Sequence, residues 1–258
     1  MKTQNESFAS LFQSLCSSYD LNLILYDFLT LSLCATSIQP GRDKSHYEEL
    51  YLAAIAKYKG INVANDFSKL FAILMMEMEE RKSSESGNDV LGEFYEMQLR
   101  QRGSHRQLTN SPNNAFRKKN FIENNPLSEE ALRFLDPCCG SGRVLLAASR
   151  EAGPQHHYYG IDIDETCVLI TITNLFLNDL FHSEVLCADT HNPNDFRFSY
   201  FTSSFPFGVF RVDRKENSHL WRMMADETGQ TSNKQANDLV LLSVENEGRS
   251  APLSTSSQ

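Results

Sequence analysis

A chain of 258 residues, 41% hydrophobic and 10% aromatic, is long enough for one large core or two smaller ones. Its formal charge of −9 excludes a uniformly basic nucleic-acid binder, so phosphate contacts would have to come from a local patch. The longest apolar region, Leu21 to Cys34, is broken by Asn22, Asp27 and Thr30, short of the about eighteen apolar residues of a membrane span. Met1 to Ser10 lacks the basic start and apolar run of a secretory signal.

The first hundred residues read as helices. Phe8, Leu11, Phe12 and Leu15 recur at three- and four-residue spacing, as do Tyr47, Leu50, Tyr51 and Ala54, and again Phe67, Leu70, Phe71 and Leu74. Such stripes predict amphipathic helices whose aromatics belong to a core. The charged run Glu77 to Lys82 closes the third stripe, the polar stretch Ser83 to Asn88 with Gly87 is a helix stop, and a short helix is predicted from Asp89 to Leu99. From Met97 to Ile122 there is no acid, whereas Arg100, Arg102, Arg106, Arg117, Lys118 and Lys119 all fall there. That segment either pairs with phosphates, with a steep salt dependence, or is a solvated basic loop. Asn110 to Pro126, rich in Asn and Pro, reads as a loop or linker.

The texture then changes. Ala131 to Leu135 is a short apolar run ending in Asp-Pro and a glycine loop, and Val144 to Arg150 looks helical. Tyr158 to Ile163 ends in acids, Thr166 to Leu180 is a helix with Val168, Ile172, Leu175 and Phe176 on one side, and Val185 to Ala188 ends at Asp189. This alternation predicts a parallel sheet with right-handed crossovers. After Gly208 the sequence is polar; only Leu239 to Val244 is predicted as a strand, and Ser250 to Gln258 as disordered. The six cysteines, at positions 16, 34, 138, 139, 167 and 187, form neither a disulfide framework nor a CxxC zinc site, and predict reduced thiols in a cytoplasmic protein with no metal.

Chemistry concentrates in Asp136-Pro-Cys-Cys-Gly-Ser-Gly-Arg143, at the end of a strand and opening a helix. Gly140 and Gly142 allow close backbone approach, and open parallel sheets bind ligands at the carboxyl ends of their strands. Leu145 stands where a dinucleotide fingerprint needs its third glycine, and no Lys-Ser/Thr follows as in a Walker loop. Asp136 would repel a pyrophosphate but suits a cationic or amine-bearing ligand such as S-adenosylmethionine. In Tyr159-Gly-Ile-Asp-Ile-Asp164, Asp162 is placed to accept from ribose hydroxyls, and Asp164 to cap the next helix. Asp189, in Cys187-Ala-Asp-Thr190, is placed to accept from an adenine amino group. Singly, each Asp is a turn or cap residue; three at successive strand ends point to a ligand site.

DPCCGSGR, YGIDID, the Thr173-Asn174-Leu175 helix and CADT resemble the motifs of N6-adenine DNA methyltransferases, and in particular the methylation subunits of type I restriction-modification systems. Asp89-Val-Leu-Gly-Glu-Phe-Tyr-Glu96 is similar to the D-x-L-G-x-x-Y-E segment of that group, and the likeness covers residues 88 to 210. It implies an α/β, Rossmann-like S-adenosylmethionine-dependent methyltransferase fold with an N-terminal helical domain. The implied division is residues 1–125 for the helices and basic linker, 126–210 for the cofactor-binding core, and 211–258 for a polar, partly disordered C-terminal segment. Asp136, Pro137, Gly140 and Gly142 would hold the methionine part of S-adenosylmethionine, Asp162 the ribose and Asp189 the adenine. DNA would be the partner, with the basic residues from Arg100 to Lys119 on phosphates and a specificity or partner subunit reading the target.

The family's catalytic motif is Asn/Asp-Pro-Pro-Tyr/Phe at the end of the fourth strand, and here Ser204-Phe205-Pro206-Phe207 stands in its place. Phe207 matches the aromatic that stacks on a flipped base, and the Phe205 carbonyl could accept one hydrogen bond. Ser204 is shorter than Asn, and losing one oriented acceptor costs about 10²–10³ in rate by analogy with an oxyanion donor. Gly103 to Pro112 is at best a remnant of the family's G-Q-F-F-T-P-like segment, and the further strands and recognition domain of relatives are not visible after Phe207. Three readings follow: an adenine-N6 DNA methyltransferase, a non-catalytic cofactor- or DNA-binding subunit or truncated remnant, and a methylase of RNA or of a protein glutamine amide. The Leu91 to Glu96 likeness favours DNA.

Overall fold

The computed structural model describes residues 7–37, 45–58, 63–81, 88–101, 131–192, 195–204, 208–228 and 239–242. Among these residues, five helices come first: α1 (Phe8–Cys16), α2 (Leu21–Thr36), α3 (Ser45–Ala56), α4 (Val63–Arg81) and α5 (Val90–Gln101). Side chains start the first two. Ser7 and Ser10 form a capping box on α1, and the Asp20 carboxylate accepts from the N–H groups of Asn22 and Leu23 on α2. No single stripe marks α2, because it is buried nearly all round, from Leu21, Ile24 and Leu25 to Leu31 and Leu33. Its buried Asp27 is paired with Lys57 at 2.6 Å and takes the Tyr58 hydroxyl at 2.7 Å. The expected core stripe of α3 is only partly buried: Ala54 is inside, but Tyr51 is 43% exposed.

The second half alternates strands and helices: β1 (Arg133–Asp136), α6 (Arg143–Ala152), β2 (His157–Asp162), α7 (Glu165–Leu177), β3 (Glu184–Cys187), β4 (Phe198–Ser203), β5 (Gly208–Val212), a 3-10 turn (Lys215–Asn217), α8 (His219–Thr228) and β6 (Leu239–Leu241). The sheet order is β5-β4-β3-β2-β1-β6. β6, β1, β2 and β3 are parallel, as the sequence pattern predicts, whereas β4 pairs antiparallel with both β3 and β5. Asp164 caps α7 as expected, accepting from Thr166 N at 2.8 Å. That helix stops at Leu177 rather than Leu180, with Asp179 at φ 61 turning the chain away.

Side chains on alternate sides of each strand feed two apolar layers. On one face Phe134, Tyr158, Val185 and Cys187 join a continuous core with α1, α2, α4, α5, α6 and α7. On the other, Leu135, Tyr159, Ile161, Leu186 and Ala188 pack on Leu220, Trp221, Met223 and Met224 of α8. The polar sequence after Gly208 predicts neither β5 nor α8; the spacing of Leu220, Met223 and Met224 is the legible trace of the helix. Glu184, fully buried, ties this region together. Its carboxylate accepts from Ser199 Oγ at 2.6 Å and from Leu220 N, at the start of α8, at 2.9 Å.

Replacing Glu184 by Ala would leave that hydroxyl and that amide without a buried acceptor. Glu184→Ala should cost about 3 kcal/mol of stability, read as a lower urea midpoint; an unchanged midpoint would mean that α8 is held by other contacts.

Candidate functional site

The loop between β1 and α6 folds back over the end of β2. Cys139 N donates to Ile161 O at 2.9 Å, Gly140 N to Asp162 Oδ2 at 2.9 Å, and Gly142 N to Cys139 O at 2.7 Å. The loop can lie this close because Gly160 has no side chain; a Cβ there would come within 2.9 Å of Cys139 Sγ. Asp136, which ends β1, is 6% exposed, and its Oδ1 accepts from Cys138 N at 3.1 Å. Its Oδ2 is buried without a hydrogen-bond partner. Asp162, which ends β2, also accepts from Asp164 N at 2.8 Å through Oδ1. After β3, Ala188 N donates to Asp162 O at 3.1 Å, and the Oδ1 of the following Asp189 accepts from His191 N at 2.9 Å. The structure thus brings Asp136, Asp162 and Asp189 to three successive parallel strand ends.

Four backbone N–H groups of the loop, those of Cys138, Cys139, Gly140 and Gly142, are used by the protein's own acceptors. Such a loop presents carboxylate oxygen rather than amide donors, which agrees with the sequence's lack of a phosphate-binding signature. Pro137 is half-buried and Cys138 exposed in the turn. Gly140 and Gly142 have φ 56 and 80, backbone that favours glycine. At Gly142 the missing Cβ makes room for Thr171 of α7, whose Cγ2 would be 2.8 Å away, and Thr171 Oγ1 donates to Gly140 O at 2.8 Å. Gly142 thus allows α7 to pack on the loop.

Behind the loop lies a second cluster. The Asp89 carboxylate, 3% exposed, accepts from Gly92 N, Ser141 Oγ, Arg143 Nε and Asn174 Nδ2 at 2.7–2.9 Å. Glu96 on α5, which follows Asp89, pairs with Arg143 at 3.4 Å and with Arg100 at 2.5 Å. Burial pushes the Asp89 carboxyl up, and Arg143, Ser141 and the Gly92 N–H pull it back. Composition gives no sign of this cluster. Its trace in the sequence is the family likeness of Asp89 to Glu96.

Ser204 lies elsewhere. β4 runs antiparallel to β3, with Phe198 beside Cys187 and Phe201 beside Glu184, so the chain reaches Ser204 at the amino end of β3, away from Asp189. The physical reason is the link from Cys187 to Phe198, about ten residues, where a parallel return needs a crossover of about a dozen or more. Ser204 is an exposed turn residue there. Phe205, Pro206 and Phe207 lie outside the described residues, as do Arg102, Arg106, Arg117, Lys118 and Lys119. Arg100 is described, and it is engaged by Glu96.

Burial raises the Asp136 carboxyl to about 6, against the pull of the Cys138 N–H and with the Asp162 charge adding to the rise. A carboxyl raised on folding favours its neutral form. Its effect is absent at low pH, sets in as pH rises from about 4 to 6, and above that costs about 3 kcal/mol. Asp136→Asn should therefore raise the melting temperature of the ligand-free protein at pH 8, with the gain vanishing by pH 4. A gain independent of pH would show that the Asp136 charge is not its source.

Residues 86–253 match the family model described as N-6 DNA Methylase. No curated protein matches the chain. Among solved structures, the methyltransferase subunit of a type I restriction-modification system from Streptococcus thermophilus is similar at 15% identity, over 66% of this chain and 54% of that one, with a TM-score of 0.29. The chain thus spans about half the length of that subunit. The family model covers well over half of the chain, including both carboxylate clusters, and on that match the chain belongs to the N-6 DNA methylase family.

Proposed function

We propose that the chain binds S-adenosylmethionine at the carboxyl ends of β1, β2 and β3, and serves methylation of adenine N6 in DNA. The observation that carries this reading is Asp136 Oδ2, buried without a partner beside a loop in which the N–H groups of Cys138, Cys139, Gly140 and Gly142 are already used. A buried acceptor of this kind calls for a donor, and the ammonium of the methionine part is a cationic one. Asp136, Pro137, Gly140 and Gly142 would surround that part. Asp162 would accept from the ribose hydroxyls, since each oxygen of an ionised carboxylate can take two hydrogen bonds. Asp189 would accept from the adenine amino group. When bound, the cofactor supplies an electrophilic methyl on its sulfonium; the chain's residues bind it, orient it and set its charge environment.

On this reading residues 126–210 are the cofactor-binding core, 1–125 the helices and basic linker, and 211–258 a polar C-terminal segment, of which Leu220, Trp221, Met223 and Met224 cover the second sheet face. Arg100, Arg102, Arg106, Arg117, Lys118 and Lys119 would meet DNA phosphates, and a specificity or partner subunit would read the target. Among the described residues no helix is long and apolar enough to cross a membrane. The described cysteines are free thiols, and on this reading the chain works in the cytoplasm. A second reading, a cofactor-binding subunit without catalysis of its own, is favoured by the position of Ser204 at the amino end of β3.

Calorimetry should give micromolar-range binding of S-adenosylmethionine, weakened about tenfold or more by Asp162→Ala. Affinity should rise with pH up to about 6, as Asp136 ionises, and then level off. Absence of binding would remove both readings. Tritium transfer from labelled cofactor to mixed DNA separates them: incorporation selects the enzyme, and binding without incorporation selects the subunit. For a subunit, Ser204→Asn combined with Phe205→Pro should restore no activity.

A further inference from the structure

Asp89 sits just before α5 and gathers donors from three separate segments. Gly92 N and Asn174 Nδ2 meet Oδ1 at 2.9 and 2.7 Å; Ser141 Oγ and Arg143 Nε meet Oδ2 at 2.7 and 2.9 Å. Four donors fill the acceptor capacity of an ionised carboxylate. The first comes from α5 itself, two from the glycine loop and the start of α6, and one from α7. Asn174 Nδ2 also donates to Ser141 O at 2.9 Å, so the loop is held by side chain and backbone at once. Glu96, two turns further along α5, takes Arg143 Nη1 at 3.4 Å. Gly92 permits the close fit, because a Cβ there would collide with the Asp89 carboxylate and Ser141 Cβ.

Asp89 bonds to Ser141 and Arg143, whereas Asp162 bonds to Gly140 in the same loop. We infer that Asp89 is a positioning residue: it fixes Ser141 and Arg143 so that the Gly140 N–H stays on Asp162, and it thereby sets cofactor affinity through the loop. The affinity part of this inference rests on the S-adenosylmethionine reading above. The loop part does not, because Cys139 reports on it directly. That thiol is 1% exposed, with its Cβ and Sγ packed over Gly160, so a loosened loop should uncover it.

The test compares wild type, Asp89→Asn and the milder Ser141→Ala, at a temperature where circular dichroism shows each folded. Alkylation of Cys139 by N-ethylmaleimide is followed by peptide mass mapping, with Cys187, buried in β3, as the control for global opening. The expected result is a rise of about tenfold or more in Cys139 labelling in Asp89→Asn and a smaller rise in Ser141→Ala, with Cys187 unchanged and the dissociation constant for S-adenosylmethionine rising in the same order. Unchanged Cys139 labelling, or a parallel rise at Cys139 and Cys187, would overturn the loop role. Faster Cys139 labelling with unaltered affinity would overturn the link to the cofactor. If the wild type binds no S-adenosylmethionine, the proposed function fails while the labelling ratio still decides the loop role. Should Asp89→Asn not fold, Ser141→Ala alone decides both points by the same two measurements.

Discussion

The seam between the glycine loop and β2 is the constraint on which the site depends. Once Cys139 N is bonded to Ile161 O and Gly140 N to Asp162, the ends of β1 and β2 are locked side by side and their two carboxylates share one end of the sheet. Two like charges next to each other, one of them nearly buried, are unfavourable. The strands tolerate this because they are packed on both faces. Phe134 stacks on Tyr158 at 5.3 Å on one side, and Leu135, Tyr159 and Ile161 meet α8 on the other. The packed core thus maintains an arrangement that its local electrostatics oppose.

The N-terminal helices belong to that support. Phe8, Phe12, Phe28 and Phe94 meet at ring distances of 4.8–6.1 Å and join α1 and α2 to α5. α2 packs in turn on α7. α5 is therefore held on its apolar side by aromatic packing while its polar side, through Asp89 and Glu96, grips the loop. The two sides of one short helix connect the helical core to the strand ends.

Much of this is legible in the sequence. Short apolar runs ending in acids locate β1, β2 and β3 within a few residues, and the glycine loop identifies which ends of the strands matter. Periodicity finds the helices with a clear stripe and gives no stripe for α2, whose burial on nearly all sides leaves none to read. The Asp89 contacts are out of reach for a different reason: Asp89, Ser141 and Asn174 are separated by 52 and 33 residues, and no local pattern announces a pairing over such separations. Likeness to a family marks the segment without giving its physical role. The orientation of β4 escapes the sequence because residue pattern alone does not reveal the direction in which a strand is paired; the short link after β3 is the available clue.

That orientation bears on chemistry through distance. From Cys187 back to Glu184 the sheet spans about 10 Å at the usual rise per residue, and Ser204 lies beyond that, whereas reacting groups must come within about 3.5 Å. Side-chain rotation cannot close such a gap. Nor is the hairpin free to swing across. Gly208 is packed against the Thr36 carbonyl at the end of α2, Arg211 lies over the Phe198 ring at 4.0 Å, and the Tyr47 hydroxyl of α3 accepts from Arg211 N at 2.8 Å. The flank of β1 opposite β2 is already taken by β6, with Leu242 N on Leu135 O at 2.8 Å. For Ser204 to serve a base at the strand ends, β4 would have to leave β3 and pair elsewhere, breaking the Ser199–Glu184 bond on the way. Retention of the carboxylate cluster with the serine turned to the far end of the sheet is therefore a property of the strand pairing itself, and the carboxylate cluster can persist independently of where Ser204 lies.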